Sequence, residues 1–461
     1  MDNNETRKSD ASRRAITAAG VAALVVPRHV LGGPSQAAPS DTLRIAGVGV
    51  GGMGRRYLEG CASERIVALC DVDHGFAAPV FRKYPQARVY RDFRRMFDQE
   101  EKNIDAVIVA TPDHNHAIVL MEAIRRRKHI YCAKPMTHTL FEARTVREAA
   151  HKAGIATQMS VQSSASDEAQ STAELLLSGV IGAVQEVHVW CDHPLYPAGL
   201  ERPKQQPAQP ENMDWDMWIG PAPYRPYHPL YHPWTWRSWW DFGTGTVGDM
   251  ACHAIHVFFE ALELGAPSSV HGSRAKMHGG LFQMLTDGKE ILPPLLHTPE
   301  TESYATMVTW DFPARGSHPP LRVNWYDGGM KPQRPLELDG RKQLPGSGLL
   351  FVGTKGKMLT GYSGGRPLLL PEKQFKDFQA PSKTLPRTIG HYREWIQAAK
   401  GGKPATCNFE VGGRMAEVAL LGTLAARTGR YLKWDGGALA VTNDQEANRL
   451  VNPPYRTGWK L

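Results

Sequence analysis

Between residues 41 and 160, short apolar runs alternate with amphipathic helical segments. The apolar runs lie at 43–48, 65–69, 106–110 and 129–132. The helical segments include 53–61, 118–127 and 141–153. Runs of this length are typical of strands buried on both faces, and their alternation with helices is typical of parallel strands. We therefore predict that residues 41–160 form an α/β domain of the Rossmann type, with a doubly wound parallel sheet.

The pattern changes beyond about residue 160. Partial alternation of apolar and polar positions marks three further runs, at 186–190, 304–312 and 321–326. Helices are predicted at 391–399 and 411–426, and loops are predicted at 203–210, 272–299 and 340–348. Alternating strands are typical of a largely antiparallel sheet with one covered face. We therefore expect a second α/β domain with such an open sheet over residues 161–440, followed by a C-terminal tail over 441–461.

The first 38 residues have the organisation of an export signal. Arg13 and Arg14 precede an apolar stretch at 18–26, and small residues follow at 35–38. A charged region, a short apolar region and a small-residue cleavage zone are typical of a signal peptide, and paired arginines favour the twin-arginine type. The alternative is a basic leader that contains a short amphipathic helix. We expect a periplasmic or otherwise exported protein that has no membrane partner, because no segment reaches the length of a transmembrane helix.

Composition excludes several classes of protein. The chain has 461 residues, of which 42% are hydrophobic and 22% are charged, and this is ordinary for a soluble globular protein. The formal net charge of +8 is modest, and no cluster of basic and aromatic residues predicts a nucleic acid partner. The six cysteines are scattered without a Cys-x-x-Cys pair, so neither a disulfide framework nor a zinc knuckle is expected.

A glycine-rich turn follows the first predicted strand and opens a helix. It consists of Gly49, Val50, Gly51, Gly52, Met53 and Gly54. Glycines at this spacing let backbone amides approach a pyrophosphate, although a purely structural turn is the alternative. Asp71 lies 22 residues after Gly49 at the end of the second predicted strand. A carboxylate there binds the adenosine ribose and repels a 2′-phosphate, so the predicted cofactor is NAD rather than NADP.

Two further groups of residues have catalytic chemistry. Lys134 and Pro135 follow a predicted parallel strand, at the sheet edge where ligands bind, although Lys134 as a solvated loop residue is equally compatible. Asp249 and His253 are spaced i and i+4, so a shared helix face would let the carboxylate orient a basic imidazole. The alternatives are Asp249 as a helix cap and His253 as a core histidine.

A metal site is the remaining interpretation of this helix. Asp249, His253, His256 and Glu260 follow helical periodicity alone, and no metal-site spacing supports a ligand set, so we predict no metal.

Aromatic residues crowd between Trp215 and Trp240. Sugar rings pack their C–H faces on such side chains, so a sugar site is plausible here. The alternative is that most of these rings anchor an irregular loop, and we expect only one or two of them to touch a substrate. Arg237 and Asp241 offer hydrogen bonds, but nothing in the sequence singles them out.

From about residue 42 to its C-terminal PPYRTGW, the chain resembles the Gfo/Idh/MocA oxidoreductases. The motifs that carry the resemblance are VGVGGMG, CDVD, ATPDHNH, CAKPMTH and GDMACHAIH. The resemblance implies that Lys134 and Pro135 lie beside the nicotinamide and that Asp249 and His253 complete the catalytic group. It also implies that the turn containing Thr111, Pro112 and His116 lies near the cofactor. Sugars or cyclitols are the implied substrates, and a homo-oligomer formed through the open sheet is the implied assembly.

Three departures from the family pattern affect the catalytic region. Ala133 stands where glutamate is usual, and His256 stands where aspartate is frequent. Residues 159–164 replace a stretch that is richer in Gly, Asn and His in many relatives. These departures leave the substrate and the catalytic detail open, and they do not touch the glycine-rich turn.

The sequence therefore predicts an NAD-dependent oxidoreductase that acts on a hydroxyl of a sugar or sugar derivative. Export would require a tightly retained cofactor, because there is no soluble NAD pool outside the cytoplasm. The alternative enzyme is a glycoside-cleaving one without net redox change, which uses transient oxidation followed by elimination. A non-catalytic sugar-binding protein is a third hypothesis, motivated by Ala133.

Overall fold

The computed structural model describes residues 41–192, 196–275, 277–278, 283–284, 290–291, 295–296 and 300–461. The predicted signal peptide at 1–38 lies outside the described residues. None of the described helices is both long and apolar enough to cross a membrane.

Six parallel strands form the first sheet. They are β1 (Arg44–Val48), β2 (Arg65–Cys70), β3 (Arg88–Tyr90), β4 (Ala106–Val109), β5 (His129–Cys132) and β6 (Thr157–Met159). Their spatial order is β3-β2-β1-β4-β5-β6. From β1 the chain first adds strands on one side and then, beginning with β4, on the other side. All four residues of β4 are buried, as expected of a strand covered on both faces. The predicted doubly wound parallel sheet is confirmed.

Helices cover both faces of this sheet. They are α1 (Arg55–Gly60), α2 (His74–Lys83), α3 (Phe93–Glu100), α4 (Asp113–Arg125) and α5 (Leu140–Ala153). Side-chain caps fix where several of them begin. Asp73 accepts a hydrogen bond from the Phe76 amide at 2.9 Å, and Thr139 and Glu142 form a reciprocal capping box at the start of α5. These starts lie at the carboxyl ends of the strands, where the candidate site is found.

The second sheet is larger. The strands after residue 160 are β7 (Val184–Trp190), β8 (Ser269–Arg274), β9 (Met277–His278), β10 (Gln283–Met284), β11 (Glu290–Ile291), β12 (Leu295–Leu296), β13 (Thr306–Phe312), β14 (Leu321–Tyr326), β15 (Gly348–Gly353), β16 (Lys357–Thr360), β17 (Leu368–Leu370), β18 (Tyr431–Asp435) and β19 (Ala440–Val441). Nine of the described strands join in the order β17-β16-β15-β7-β14-β13-β8-β18-β19. Within this sheet only β7 and β14 pair in parallel, which confirms the largely antiparallel prediction.

One face of the second sheet is covered. Trp310 and Trp325 point into the core, while Met307 and Tyr431 are exposed. The exposed face is the one through which the predicted oligomer would form, and that assembly stays a prediction. The stretch 272–299 was predicted as a loop, which is wrong in part. β8 continues to Arg274, and β9 pairs with β12 and β10 with β11 beyond it. Strands of two residues are too short to show a repeat of apolar and polar positions, so the sequence does not reveal β9 to β12.

The remaining helices connect the two sheets. They are α6 (Asp167–Leu177), α7 (Trp215–Ile219), α8 (Gly245–Met250), α9 (Cys252–Phe259), α10 (His391–Ala399), α11 (Phe409–Thr428) and α12 (Gln445–Arg449). Trp310 of β13 donates to the Val418 carbonyl of α11 at 3.0 Å, and Trp395 of α10 is fully buried in the core under the first sheet. The C-terminal tail also returns to the first sheet, since the Tyr455 hydroxyl donates to Glu142 at 2.5 Å. α8 and α9 pack against α11, and the Thr423 hydroxyl of α11 donates to the Thr244 carbonyl, just before α8, at 3.0 Å.

Candidate functional site

The glycine-rich turn joins β1 to α1. Gly49 has a φ of 77°, and a Cβ atom there would lie 2.6 Å from the Thr111 amide nitrogen. A Cβ atom on Gly54 would lie 2.4 Å from the Gly49 carbonyl oxygen. Both positions therefore require glycine, because a side chain would collide with rigid backbone. The predicted turn has the close packing against the end of β4 that a dinucleotide-binding loop needs.

Asp71 lies directly after β2, as predicted, and is bonded to this turn. Its carboxylate accepts hydrogen bonds from the Gly51 amide at 2.9 Å and from the Asp73 amide at 3.0 Å. Burial raises the pKa of Asp71, and the two amide hydrogen bonds partly oppose that effect. The carboxylate thus links the end of β2 to the loop, in the place where an adenosine ribose is expected.

The turn after β4 supplies a group with unmet hydrogen-bonding capacity. Among the described residues, nothing bonds the buried hydroxyl of Thr111, and Pro112 caps the start of α4. An unbonded buried hydroxyl beside a glycine-rich turn fits a polar ligand at this edge. His116 is fully buried. Its ring nitrogens lie 2.8 Å from the backbone carbonyl oxygen of Thr111 and 2.9 Å from that of Pro135. Its ring therefore holds the ends of β4 and β5 together, and its contact with a cofactor stays a prediction.

Lys134 follows β5 at the same edge. Its amide donates to the Ser160 hydroxyl at 3.1 Å, and Ser160 is itself 3.0 Å from the Tyr57 hydroxyl. Its ammonium group donates to Asp249 of α8, so the lysine side chain bridges the first sheet to the second domain. The interpretation of Lys134 as a solvated loop residue is therefore wrong.

Asp249 is only 4% exposed and receives a second hydrogen bond, from the Tyr196 hydroxyl at 2.6 Å. Burial opposes ionisation of this carboxyl. The positive charges of Lys134 and Arg237 and the two hydrogen bonds outweigh that effect and hold its pKa below the usual range. Asp249 is therefore ionised at neutral pH and forms a buried ion pair with Lys134.

The expected contact, in which the His253 ring would donate a hydrogen bond to Asp249, is not formed. The two oxygens of Asp249 face Lys134 and Tyr196, and a charged ammonium competes for a carboxylate better than a neutral imidazole does. α8 ends at Met250 and α9 begins at Cys252, so the pair does not share one unbroken helix. Asp249 positions the lysine rather than the histidine.

His253 is partly buried next to this ion pair. Burial and the positive charge of Lys134 lower its pKa to about 3, so the imidazole is neutral at pH 7. Nothing in the described part of the chain forms a hydrogen bond with its ring, which leaves a basic nitrogen available to a ligand. His256 is used differently, since its Nε2 lies 2.8 Å from the Ser163 hydroxyl.

Glu260 pairs with Arg414 at 2.9 Å, away from the two histidines. Within the described ranges, no three His, Cys, Asp or Glu side chains are grouped in a way that could hold a metal ion.

Sequence reasoning missed two buried carboxyl groups near Asp249. Asp113 is the first residue of α4, is 2% exposed, and accepts a hydrogen bond from the Thr244 hydroxyl at 2.9 Å. Burial, and secondarily the charge of Asp249, raise its pKa to about 7. Glu302 accepts a hydrogen bond from the Thr246 amide at 2.6 Å, and burial raises its pKa to about 8. An acid after Thr-Pro is easily taken for an ordinary helix start, so little in the sequence distinguishes Asp113.

Two family models match the chain. The model for the NAD-binding Rossmann fold of the Gfo/Idh/MocA oxidoreductases matches residues 43–162, and the model for their C-terminal alpha/beta domain matches residues 167–262 and 337–461. The chain belongs to the Gfo/Idh/MocA family. Its first domain is therefore an NAD-binding Rossmann domain, which confirms the predicted cofactor.

Curated inositol 2-dehydrogenases are similar to part of the chain. An inositol 2-dehydrogenase from Salmonella paratyphi B is 30% identical over 118 residues, which are 24% of this chain and 34% of the relative. The chain thus spans about a third of the length of this curated relative.

Solved structures share the fold over most of the chain. The WlbA dehydrogenase from Bordetella pertussis, in complex with NADH and UDP-GlcNAcA, is 16% identical with a TM-score of 0.56, covering 86% of this chain and 99% of that one. An inositol dehydrogenase homologue from Azotobacter vinelandii, complexed with NADH and myo-inositol, is 16% identical with a TM-score of 0.54, covering 85% and 98%.

Most rings of the aromatic segment are structural in this Gfo/Idh/MocA chain. Trp215 and Trp218 are buried and stack with their ring centroids 4.5 Å apart. Trp234, by contrast, is 52% exposed, and its ring centroid lies 6.0 Å from that of Tyr196. Trp234 is therefore the ring of this segment that is best placed to contact a substrate near Asp249.

We predict that Asp71→Ala weakens NAD binding and reduces discrimination against NADP. Loss of a charged acceptor typically costs about 10-fold or more in affinity. Dissociation constants for NADH and NADPH, measured by fluorescence titration, test this prediction. Asp71→Asn is the matched control for shape, because it removes the charge and keeps one acceptor for the loop amides. A wild-type protein that prefers NADPH would show that Asp71 does not select the cofactor.

We predict that Asp113→Asn makes stability less dependent on pH. In the folded state Asp113 binds its proton up to about pH 7, whereas an unfolded aspartate loses it near pH 4. The wild-type protein should therefore lose stability as the pH rises from 4 to 7, by about 2–4 kcal/mol from this group. Urea unfolding at pH 5 and pH 8 measures the difference.

The exposed carboxylate of Asp98 offers a control for this pH effect. Asp98→Asn should follow the wild-type pH dependence, and an Asp113→Asn variant that does the same would contradict the raised pKa.

Proposed function

We propose that the protein is an NAD-dependent dehydrogenase that oxidises a secondary hydroxyl group of a sugar or cyclitol. The observation that carries this proposal is the pairing of Lys134 with Asp249, next to a neutral His253, at the carboxyl edge of the NAD-binding sheet. The inositol 2-dehydrogenase relatives and the structural neighbour with bound myo-inositol support the substrate class.

The loop at 49–54 and Asp71 would hold NAD, with the unbonded Thr111 hydroxyl as a further donor. When bound, NAD accepts the two electrons and the hydrogen that leave the carbinol carbon. The chain itself then has to bind the hydroxyl oxygen, remove its proton and stabilise the negative charge that develops on it.

Lys134 performs the stabilising role. An ammonium group has three N–H donors, and Asp249 occupies one of them. A remaining donor can bind the substrate oxygen before and after its proton leaves. Because Asp249 is itself held by Tyr196 at 2.6 Å, the position of the lysine is fixed before substrate arrives. Such preorganisation reduces the cost of reorganising the site during the reaction.

His253 accepts the proton of the substrate hydroxyl. Its neutral imidazole has a nitrogen that no described residue bonds, and burial and the nearby ammonium of Lys134 disfavour a permanently protonated ring, so the proton would be held only during the reaction. With NAD bound to take up the C–H hydrogen and two electrons, transfer of the O–H proton to His253 would leave the alcohol as a ketone. Asp249 is a positioning residue in this scheme, because it acts through Lys134.

We further propose that the protein is exported in folded form and keeps its cofactor. The proposal rests on Arg13, Arg14 and the apolar stretch at 18–26. Native mass spectrometry of the purified protein should then detect co-purifying NAD(H).

We predict that Lys134→Ala and His253→Ala each reduce the rate of NAD reduction by about 10²–10⁴-fold. The two residues serve one step, so the double variant should lose much less than the product of the two effects. Asp249→Asn should act through the lysine, and its loss should therefore nearly disappear in a Lys134→Ala background. Single-turnover absorbance of NADH, with myo-inositol and methyl glycosides as substrates, measures all five variants.

His256→Gln provides the matched control for the histidine, because His256 is bonded to Ser163 instead. A near wild-type rate in His253→Ala, together with a large loss in His256→Gln, would transfer the role of base to His256. Fully multiplicative effects of Lys134→Ala and His253→Ala would show that the two residues act independently.

We predict that replacing Arg13 and Arg14 with lysines leaves the protein in the cytoplasm. The twin-arginine pathway reads the arginine pair, and lysine keeps the charge without its geometry. Immunoblots of periplasmic and cytoplasmic fractions measure the distribution. An unchanged periplasmic fraction would contradict the twin-arginine assignment.

A further inference from the structure

Arg237 presents a guanidinium group among three aromatic rings. Its Cζ atom lies 4.2 Å from the ring centroid of Trp236, 4.4 Å from that of Trp234 and 5.6 Å from that of Tyr196. Among the described residues, its side chain donates a single hydrogen bond, to the Trp234 carbonyl oxygen at 3.2 Å. Rings against the guanidinium leave most of its N–H donors without a protein acceptor.

The neighbouring arginines are paired. Arg202 lies 2.9 Å from Glu300, and Arg225 contacts both Asp241 and Glu300. In the part of the chain that the structure describes, no carboxylate lies within ion-pair distance of Arg237. The carboxylate of Asp241 is therefore already paired with Arg225. Among the described residues, Arg237 is a partly buried cation with no carboxylate in direct contact, although its charge reaches Asp249 and lowers the pKa of that carboxyl. A ligand carboxylate in contact with the guanidinium would complete its pairing.

A chain of contacts through Tyr196 connects Arg237 to the Lys134–Asp249 pair. Tyr196 has Arg237 against its ring, and the hydroxyl of the same tyrosine donates to Asp249 at 2.6 Å. Asp249 in turn pairs with Lys134. The exposed Trp234 lies beside both Tyr196 and Arg237. A sugar ring stacked on Trp234 would lie beside Arg237 and Tyr196, and Tyr196 is bonded to Asp249 of the reaction centre.

We propose that Arg237 binds a carboxylate of the substrate, so that the enzyme acts on sugar acids in preference to neutral sugars. This inference rests on the proposed dehydrogenase function. A planar guanidinium presents parallel N–H donors that match the two oxygens of a carboxylate. A single guanidinium also balances the single charge of that group. Lys134 is already neutralised by Asp249, so the carboxylate of the substrate is drawn to Arg237 and not to the reaction centre.

Matched substrate pairs test the proposal. Methyl glycosides of glucose, galactose and mannose are compared with the corresponding methyl uronates, and kcat/KM is measured from NADH absorbance. The wild-type protein should prefer the uronate of at least one pair. Arg237→Gln should reduce that uronate-to-neutral ratio by about 10–100-fold, which is typical for the loss of a charge-assisted hydrogen-bonded pair.

Two further variants test whether the planar guanidinium of Arg237 causes the preference for uronates. Arg237→Lys keeps the charge without the planar fork, so it should retain part of the preference. Arg202→Gln removes a nearby arginine that already pairs with Glu300, and it should keep the wild-type ratio. Thermal unfolding of each variant identifies any that has lost its fold, and Arg237→Lys then carries the test.

The outcomes separate the inference from the proposed function. Turnover of neutral glycosides with no preference for uronates would overturn the role of Arg237 and leave the dehydrogenase function intact. An unchanged ratio in Arg237→Gln would do the same. A rise in the dissociation constant for NADH, with equal losses on both substrates, would assign Arg237 to the cofactor and overturn the inference. No turnover of either series or of myo-inositol would contradict the proposed function, and the inference would fall with it.

Discussion

The ion pair between Lys134 and Asp249 is the contact on which the site depends. It joins the end of β5 in the NAD-binding domain to α8 in the second domain. Both charges are largely removed from water, and leaving either one unpaired in such a place typically costs about 3–5 kcal/mol. The Tyr196 hydroxyl occupies the other oxygen of Asp249, and Ser160 holds the backbone of the lysine. The geometry of the reacting groups therefore depends on correct packing of the two sheets against each other.

Several of the groups around this pair are uncharged or only partly charged at neutral pH. Burial raises the pKa of Asp113 to about 7 and that of Glu302 to about 8, and burial lowers the pKa of His253 to about 3. The negative charge of Asp249 adds to the effect of burial on both acids, so they hold their protons more tightly than usual. At neutral pH the site therefore combines the Lys134–Asp249 ion pair and the cation of Arg237 with a neutral His253, a largely protonated Glu302 and an Asp113 close to its pKa. A proton taken up by His253 would add to the positive charge of Lys134, so the ring can hold it only transiently.

The sequence predicts those parts of the molecule whose signal is local. Strands β1, β2, β4 and β5 are continuous apolar runs, and their ends were predicted to within about one residue. β3 and β6 have three residues each, too few to show a period, and the parallel pairing of β7 with β14 joins segments far apart in sequence. The i, i+4 spacing drew attention to Asp249 and His253, and their catalytic roles stay a prediction. It could not show that a lysine from another domain takes the carboxylate, because that competition exists only in three dimensions.

Burial gives a physical meaning to Ala133. This residue is buried in the core between the first sheet and α10, and its amide donates to the Val109 carbonyl at 2.8 Å. In the family pattern that the sequence resembles, glutamate stands at this position, next to the lysine. A glutamate here would place a carboxylate among the apolar side chains of that core, which is costly without a hydrogen-bonded partner. Alanine avoids that cost, and the lysine keeps its place through Asp249 and Tyr196 without a carboxylate from its own strand.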